Sequence, residues 1–445
     1  MWAQLKDLLR LLPFYGINPI PVPIPITVDR SSTALKLRHA FVANPTLPQS
    51  FATPQNPPQI LFNDILVAPD LRDGDHDYTQ AATSTFALRT HPIRVNRARD
   101  QEQFHEARRQ SFYSQQSAII DWDETEVLAP DLTDRPTVLE LAKMTGNAYV
   151  RPEDKGWYDV GGRWNTSYPF GWDPEDNGFR GNVFVSDDNS TVVLSIKGTS
   201  LYGQGNTATR DKLNDNRLYS CCCARISRNW AFSTVCDCFN GGWSCGQSCL
   251  ERSLQDDDLF YNVGINLFNN LTYIYPDANV WIVGHSLGGG LSGLLGATFG
   301  VPTITFEALG DRLAASRLHL PSPPPTSLQL QTMNGRNSDD EEFSLHPITH
   351  IFHTADPVPH GTCTGIRSLC AKAGYALEAR CHLGKIIVYD TITRFKWSQA
   401  LIHHPIAVMI TKILAEDWEE DRPVPEAVPQ INCFDCYKWD YLDED

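Results

Sequence analysis

The chain has 445 residues, 42% apolar and 20% charged, enough for one large core with insertions or for two domains of ordinary size. Its 37 Lys and Arg face 53 Asp and Glu, a formal net charge of −16. That balance excludes nucleic-acid binding through phosphate neutralisation and opposes adsorption to an anionic membrane at neutral pH. Full protonation of the 13 His would bring −16 to −3, so an acidic compartment removes most of the repulsion.

Residues 1–60 are Pro-rich and predict an extended arm. At its start, Leu5, Leu8, Leu9 and Leu12 share one face of a short amphipathic helix, which serves either as an interfacial anchor or as a core-packed terminus. Residues 11–28 carry no charge, but Pro13, Pro19, Pro21, Pro23 and Pro25 forbid a regular membrane-spanning helix there. Lys6, Asp7 and Arg10 interrupt the apolar stretch that a signal peptide requires.

Residues 61–136 predict an N-terminal extension of short strands with a polar helix around 98–116, packed on the core. A main domain follows over 137–432, and an acidic tail with a C-x-x-C pair closes the chain at 433–445. The spacing of Val138, Leu141, Ala142 and Ala148 predicts a helix against a sheet. The stretch 156–180 sets Trp157, Trp164 and Trp172 among Gly and Asp, as in an aromatic-stapled loop. Next, NVFVS-DDNS-TVVLSIKG predicts a β-hairpin, two β-branched runs around turn formers.

Seven of the twelve Cys crowd into a cysteine-rich insertion at 220–250; three follow at 363–381, and Cys433 and Cys436 lie in the tail. The even count, and the absence of His from the cluster, favour disulfides over zinc. With Asn-X-Ser/Thr glycosylation sequons at Asn165, Asn189 and Asn270, this indicates an oxidising secretory route. No metal or cofactor is expected. The insertion, with Trp230, Phe232, Phe239 and Trp243, either frames a lid over a site or forms a structural knot. After it, Leu259, Val263, Leu267 and Leu271 line one face of a helix whose early turns hold Asp256, Asp257 and Asp258.

The sharpest chemical signal is Gly284-His285-Ser286-Leu287-Gly288, between the apolar run NVWIV and a helix of small residues. A G-x-S-x-G turn from strand to helix presents a strained serine, with glycines where neighbouring backbones must pass closely. Ser286 is thus the candidate nucleophile, with the N–H of Leu287 as one oxyanion donor. Thr199, after the strand ending Lys197-Gly198, supplies the second through its N–H, with its hydroxyl as an additional donor. A serine needs a base and the base an orienting carboxylate, each on a loop after a later strand. Asp356, cut off from its strand by Pro357 and Pro359, fits the carboxylate better than Asp311, one strand earlier. The base is His403 or His404, between the strand 384–391 and a helix over 406–418; His360 and His382 read as surface or loop-packing histidines. The Pro-rich segment 321–342 reads as a surface loop.

Several stretches together resemble the fungal autophagic-body lipases, relatives of the class 3 fungal triacylglycerol lipases. They include KMTGNAYVRPEDKGWYDV, VWIVGHSLGGGLSGLLG, HTADPVPHGTC, CHLGK, CFDCYKW and the CCC…CDC…GGWSC…SCLE cluster. The resemblance covers about 137–320 and 346–440. It implies an α/β-hydrolase fold with a central, mostly parallel sheet, and a triad of Ser286, Asp356 and His404. It also implies a glycoprotein delivered through the endomembrane system to the vacuole lumen, acting on vesicle phospholipids including phosphatidylserine. The family usually opens with a transmembrane helix, where this chain has its Pro-broken segment, and Leu309 stands where Pro is expected. A free His has a pKa of about 6.5, so activity through such a base is expected to rise from acid towards neutral pH.

Overall fold

The computed structural model describes residues 88–114, 120–161, 164, 166–172, 178–200, 206–256, 259–332, 343–415 and 423–442. Contacts divide the chain into units 1–38 and 39–445, and every described residue lies in the second. The N-terminal arm, residues 61–87 and Asn165 therefore fall outside the described residues.

Strands β1 (Thr90–Ala98) and β2 (Trp122–Pro130) form a nine-pair antiparallel ribbon, with helix α1 (Gln101–Ser114) in the connection. The ribbon is bonded to the core: Arg97 Nε donates to Gly300 O at 3.1 Å, and Trp281 Nε1 donates to Leu128 O at 2.8 Å. Helix α2 (Arg135–Asn147) is capped by Asp134, whose carboxylate accepts from Thr137 N, with Pro136 in the first turn.

The stretch 156–180 is more than loop. Strand β3 (Thr166–Phe170) pairs antiparallel with β4 (Gly181–Val185) at the edge of the main sheet. Pro169 obscured it in the sequence, because proline is tolerated only in edge strands. Strand β5 (Thr191–Ile196) completes the expected hairpin with β4.

Helix α3 (Asn206–Tyr219) leads into the cysteine-rich insertion, with short strands β6 (Phe239–Gly241) and β7 (Ser244–Gly246) and helix α4 (Gln247–Ser253). The expected continuous helix breaks after α4: helix α5 (Phe260–Ile274) begins anew behind Leu259, and Asp256 lies in the break, paired with Arg217 at 2.8 Å. Strand β8 (Asn279–His285), helix α6 (Leu287–Phe299), strand β9 (Thr303–Phe306), helix α7 (Arg312–Arg317), strand β10 (Ile348–His353), strand β11 (Lys385–Tyr389), β12 (Val428–Pro429) and β13 (Asp440–Leu442) follow. The segment 321–342 holds a short helix, Ser327–Thr332. The helix expected at 406–418 is one α-turn, Ile406–Val408, widening into a π-helical stretch, Met409–Leu414.

The eight-stranded sheet has the order β12-β11-β10-β9-β8-β5-β4-β3, and β11, β10, β9, β8 and β5 run parallel. Alternation assigns its two faces. Val192, Leu194, Val280 and Ile282 pack under α5 and α6, whereas Val193, Trp281 and Val283 pack under α2 and the 406–414 segment. This is an α/β-hydrolase architecture, with the loops at the carboxyl ends of the parallel strands free to carry chemistry. Among the described residues no helix is long and apolar enough to cross a membrane.

All twelve cysteines are paired: Cys221–Cys436, Cys222–Cys245, Cys223–Cys236, Cys238–Cys249, Cys363–Cys370 and Cys381–Cys433. The insertion is a disulfide knot, with Cys221, Cys222, Cys223, Cys238 and Cys245 buried together with Trp439 of the tail. The sulfurs that crowd together at Cys222, Cys223 and Cys245 and at Cys223, Cys236 and Cys238 all belong to these bonded pairs. The bridge Cys221–Cys436 spans 215 residues, and such long loops gain most from cross-linking. Cys221→Ser with Cys436→Ser should lower unfolding free energy by about 2–4 kcal/mol in denaturant titration.

Candidate active site

Ser286 ends β8 and starts α6 with φ 57° and ψ −126°, a region that non-glycine residues rarely occupy. Close packing on both sides enforces it. A Cβ on Gly288 would lie 2.2 Å from Ile196 O, and one on Gly284 would lie 2.3 Å from Gly288 O, so only glycine lets the elbow nest against β5.

Three of the residues singled out in the sequence meet here. His404 Nε2 lies 2.9 Å from Ser286 Oγ, and His404 Nδ1 lies 2.7 Å from Asp356 Oδ2. Since a carboxylate only accepts, Nδ1 carries the proton and Nε2 is left to accept from the serine hydroxyl. Burial opposes ionisation of Asp356, but the His404 imidazole bonded to it, with the Val358 N–H, holds its carboxyl below the usual range.

The competing candidates lie elsewhere. The His403 ring stacks on Trp397, with ring centroids 4.4 Å apart. Asp311 is buried, accepts from Leu383 N at 2.8 Å and is pushed up to about 6 by burial. His382 is wedged between Ala308 O and Gln430, and His360 stands edge-on to Phe352.

Ser286 sits beyond β8, Asp356 beyond β10 and Thr199 beyond β5, at the carboxyl ends of parallel strands. The Thr199 hydroxyl is taken by Asp215, whose carboxyl burial pushes well up. With Asp215 neutral that hydrogen bond can run either way, so the Thr199 backbone N–H and its hydroxyl are both candidate oxyanion donors. The N–H of Leu287, first in α6, has no intrahelical acceptor and carries the positive end of the helix.

Further residues, not singled out in the sequence, hold the geometry. His285 Nε2 meets His404 O at 2.9 Å, so it must donate. Burial, then the nearby His404, lowers the His285 pKa to about 3, leaving a neutral ring. Its Nδ1 therefore accepts from the Tyr149 hydroxyl at 2.6 Å, and Tyr149 in turn accepts from Gly198 N at 3.1 Å. This relay ties the Thr199 loop to the backbone of His404. His353 does the same one residue earlier, its Nε2 donating to His403 O at 3.1 Å. Of these, only His285 carried a signal in the sequence, as the second residue of the motif.

Val358, Tyr375, Leu377 and Leu401 give the pocket at Ser286 a largely apolar wall, and no residue of 220–250 lines it. Among the described residues, the insertion packs as a disulfide knot around Trp439. Of the sequons, Asn189 is exposed on the β4–β5 turn and Asn270 is half-buried on α5.

Gly198 passes so close to the elbow that a Cβ would lie 2.3 Å from both His285 O and Tyr149 Oη. Gly198→Ala should cost about 1–3 kcal/mol by overpacking, read as a lowered midpoint in denaturant titration.

No family model matches the chain. It is 47% identical over 340 residues to a protein of Mycosarcoma maydis, spanning 75% of this chain and 63% of that one. It is 48% identical over 305 residues to one of Cryptococcus neoformans var. neoformans serotype D (68% and 55%), and 39% over 368 residues to one of Saccharomyces cerevisiae (80% and 66%). All three bear the name "Putative lipase ATG15". The chain thus spans little more than half to two thirds of their length. Among solved structures, it is similar to the Lip2 lipase of Yarrowia lipolytica at 19% identity, TM-score 0.29, over 56% of this chain and 77% of that one. It is also similar to a triacylglycerol lipase of Penicillium expansum at 15% identity, TM-score 0.29, over 59% and 82%. The fold rests on the sheet topology, and the close relatives decide the family: the chain belongs to the fungal ATG15 lipase family.

Proposed function

We propose that the chain is a serine ester hydrolase that cleaves acyl esters of membrane phospholipids. Ser286 Oγ attacks the ester carbonyl while His404 Nε2 takes its proton, and Asp356 holds the imidazole and stabilises its charged form. The N–H groups of Leu287 and Thr199 bind the oxyanion. His404 returns the proton to the leaving alcohol. A water molecule, activated by the same imidazole, then releases the fatty acid. The observation that carries this reading is the unbroken relay from Asp356 through His404 to Ser286, at 2.7 and 2.9 Å.

A lipid substrate is supported by the apolar pocket wall and by the relatives' name. The loop closed by Cys363–Cys370, of which Cys370 lines the pocket, exposes Ile366 and Leu369 beside Arg367. Such a surface suits the headgroup region of a phospholipid membrane, phosphatidylserine included, despite the overall negative charge. Twelve paired cysteines support an oxidising, lumenal setting. Delivery to the vacuole, breakdown of autophagic and other vesicle membranes, and glycosylation at Asn165, Asn189 and Asn270 complete the proposal.

The test is product analysis after incubation with mixed phospholipid vesicles. Wild type should release fatty acid and lysophospholipid, and Ser286→Ala should lose about 10⁴-fold or more of that activity. Cleavage of short soluble esters alone would make the chain a carboxylesterase, and undiminished activity in Ser286→Ala would remove the serine mechanism.

A further inference from the structure

Glu307 follows β9, beside the strands that carry Ser286 and Asp356. It has no part in the relay described above. It is buried to 1% exposure and holds φ 45°, another left-handed non-glycine residue at the active edge of the sheet. As a carboxylate it would be badly placed. Among the described residues neither of its oxygens has a partner of good hydrogen-bond geometry; the His353 N–H favours the charged form, but less than burial and Asp356 oppose it, and His353 Nε2 lies 3.6 Å away and is committed to His403 O. A buried charge so poorly paired is costly enough that the group takes up a proton instead. Once neutral, Glu307 has an O–H to give, and the group it faces is the carboxylate of Asp356.

We propose that Glu307 is a positioning residue of this site: as a neutral acid it donates a hydrogen bond to Asp356, which weakens the pull of that carboxylate on the His404 proton and keeps the imidazole available as a base at lower pH. The proposal rests on the serine-hydrolase reading and deepens it. An undivided Asp356 charge would favour the protonated imidazole and so push the onset of activity upward in pH. Sharing that charge with a donor does the reverse, which suits a hydrolase working in an acidic lumen. Burial and the repulsion of Asp356 both favour the neutral form of Glu307.

The surrounding groups leave this role to Glu307. It faces Asp356 and His353; Asp356 also acts on His285 from β8, His353 from β10, His360 from the following loop, and His403 and His404. Burial lowers the pKa of His285, His353, His360 and His403. With values of about 3 and about 4, His285 and His353 stay neutral and supply no competing charge.

The experiment is the pH dependence of kcat on a short soluble ester, for wild type, Glu307→Ala and Glu307→Gln, with melting curves for each. Glu307→Ala should move the acid limb up by about one pH unit with KM little changed. Glu307→Gln, which keeps an N–H donor, should return it close to wild type. An acid limb unmoved in Glu307→Ala overturns the proposal, as does an equal loss of activity at every pH. Should Glu307→Ala fail to fold, infrared difference spectra of wild type against Glu307→Gln decide: a protonated carboxyl band present in wild type at neutral pH supports the proposal, and its absence overturns it. Failure of the serine reading itself is separate, since Ser286→Ala would then retain activity while the Glu307 profiles remain measurable.

Discussion

Everything at the site depends on one strained backbone position. Ser286 is held at positive φ between a buried strand and a buried helix, and nothing in its own side chain favours that conformation. The strain persists because β5 on one side and the packed first turn of α6 on the other leave the chain no alternative path. The glycines at 198, 284 and 288 are the consequence: each removes a Cβ that would collide with a neighbouring main-chain oxygen. The turn thereby places a hydroxyl at the positive end of a helix and at the carboxyl edge of a parallel sheet, where loops from several strands converge.

Around that turn the polar groups form a closed set with few free choices. The carbonyls of residues 403 and 404 each accept from a buried neutral histidine, so the peptide bearing the base is anchored on both sides. Tyr149 then joins the same network to the loop of Thr199. Movement of one donor is felt by the others, so preorganisation here is a property of the whole cluster and not of three residues. The disulfide knot performs a different task. It ties the C-terminal tail to the chain after α3 and supplies covalent order where β6, β7 and β13 are too short to hold themselves.

Local pattern made much of this legible. The β4–β5 hairpin, α2 with its apolar face, and the strand–turn–helix around Ser286 are each written within about twenty consecutive residues. Asp356 could be singled out because Pro357 and Pro359 end its strand. The choice between His403 and His404 was not local: both lie in one short loop, and only family resemblance favoured the second. What separates them in space is the stacking of His403 on Trp397 and the paired carbonyl anchors. Edge strand β3 was hidden by its proline, and the break before α5 by a run of helix-compatible residues. Tyr149, Asp215 and Glu307 gave no signal, because their roles come from burial and from partners 49, 16 and 49 positions away. The cysteine-rich insertion left two outcomes open, and the tail residue Trp439, packed among its sulfurs, is what makes it a knot.

The most direct test of the central relay is covalent labelling with a fluorophosphonate, located by mass spectrometry in wild type, His404→Ala and His403→Ala. The account predicts a single adduct on Ser286 in wild type and His403→Ala, formed far more slowly in His404→Ala. An adduct on another residue, or labelling that survives loss of His404 but not of His403, would contradict it.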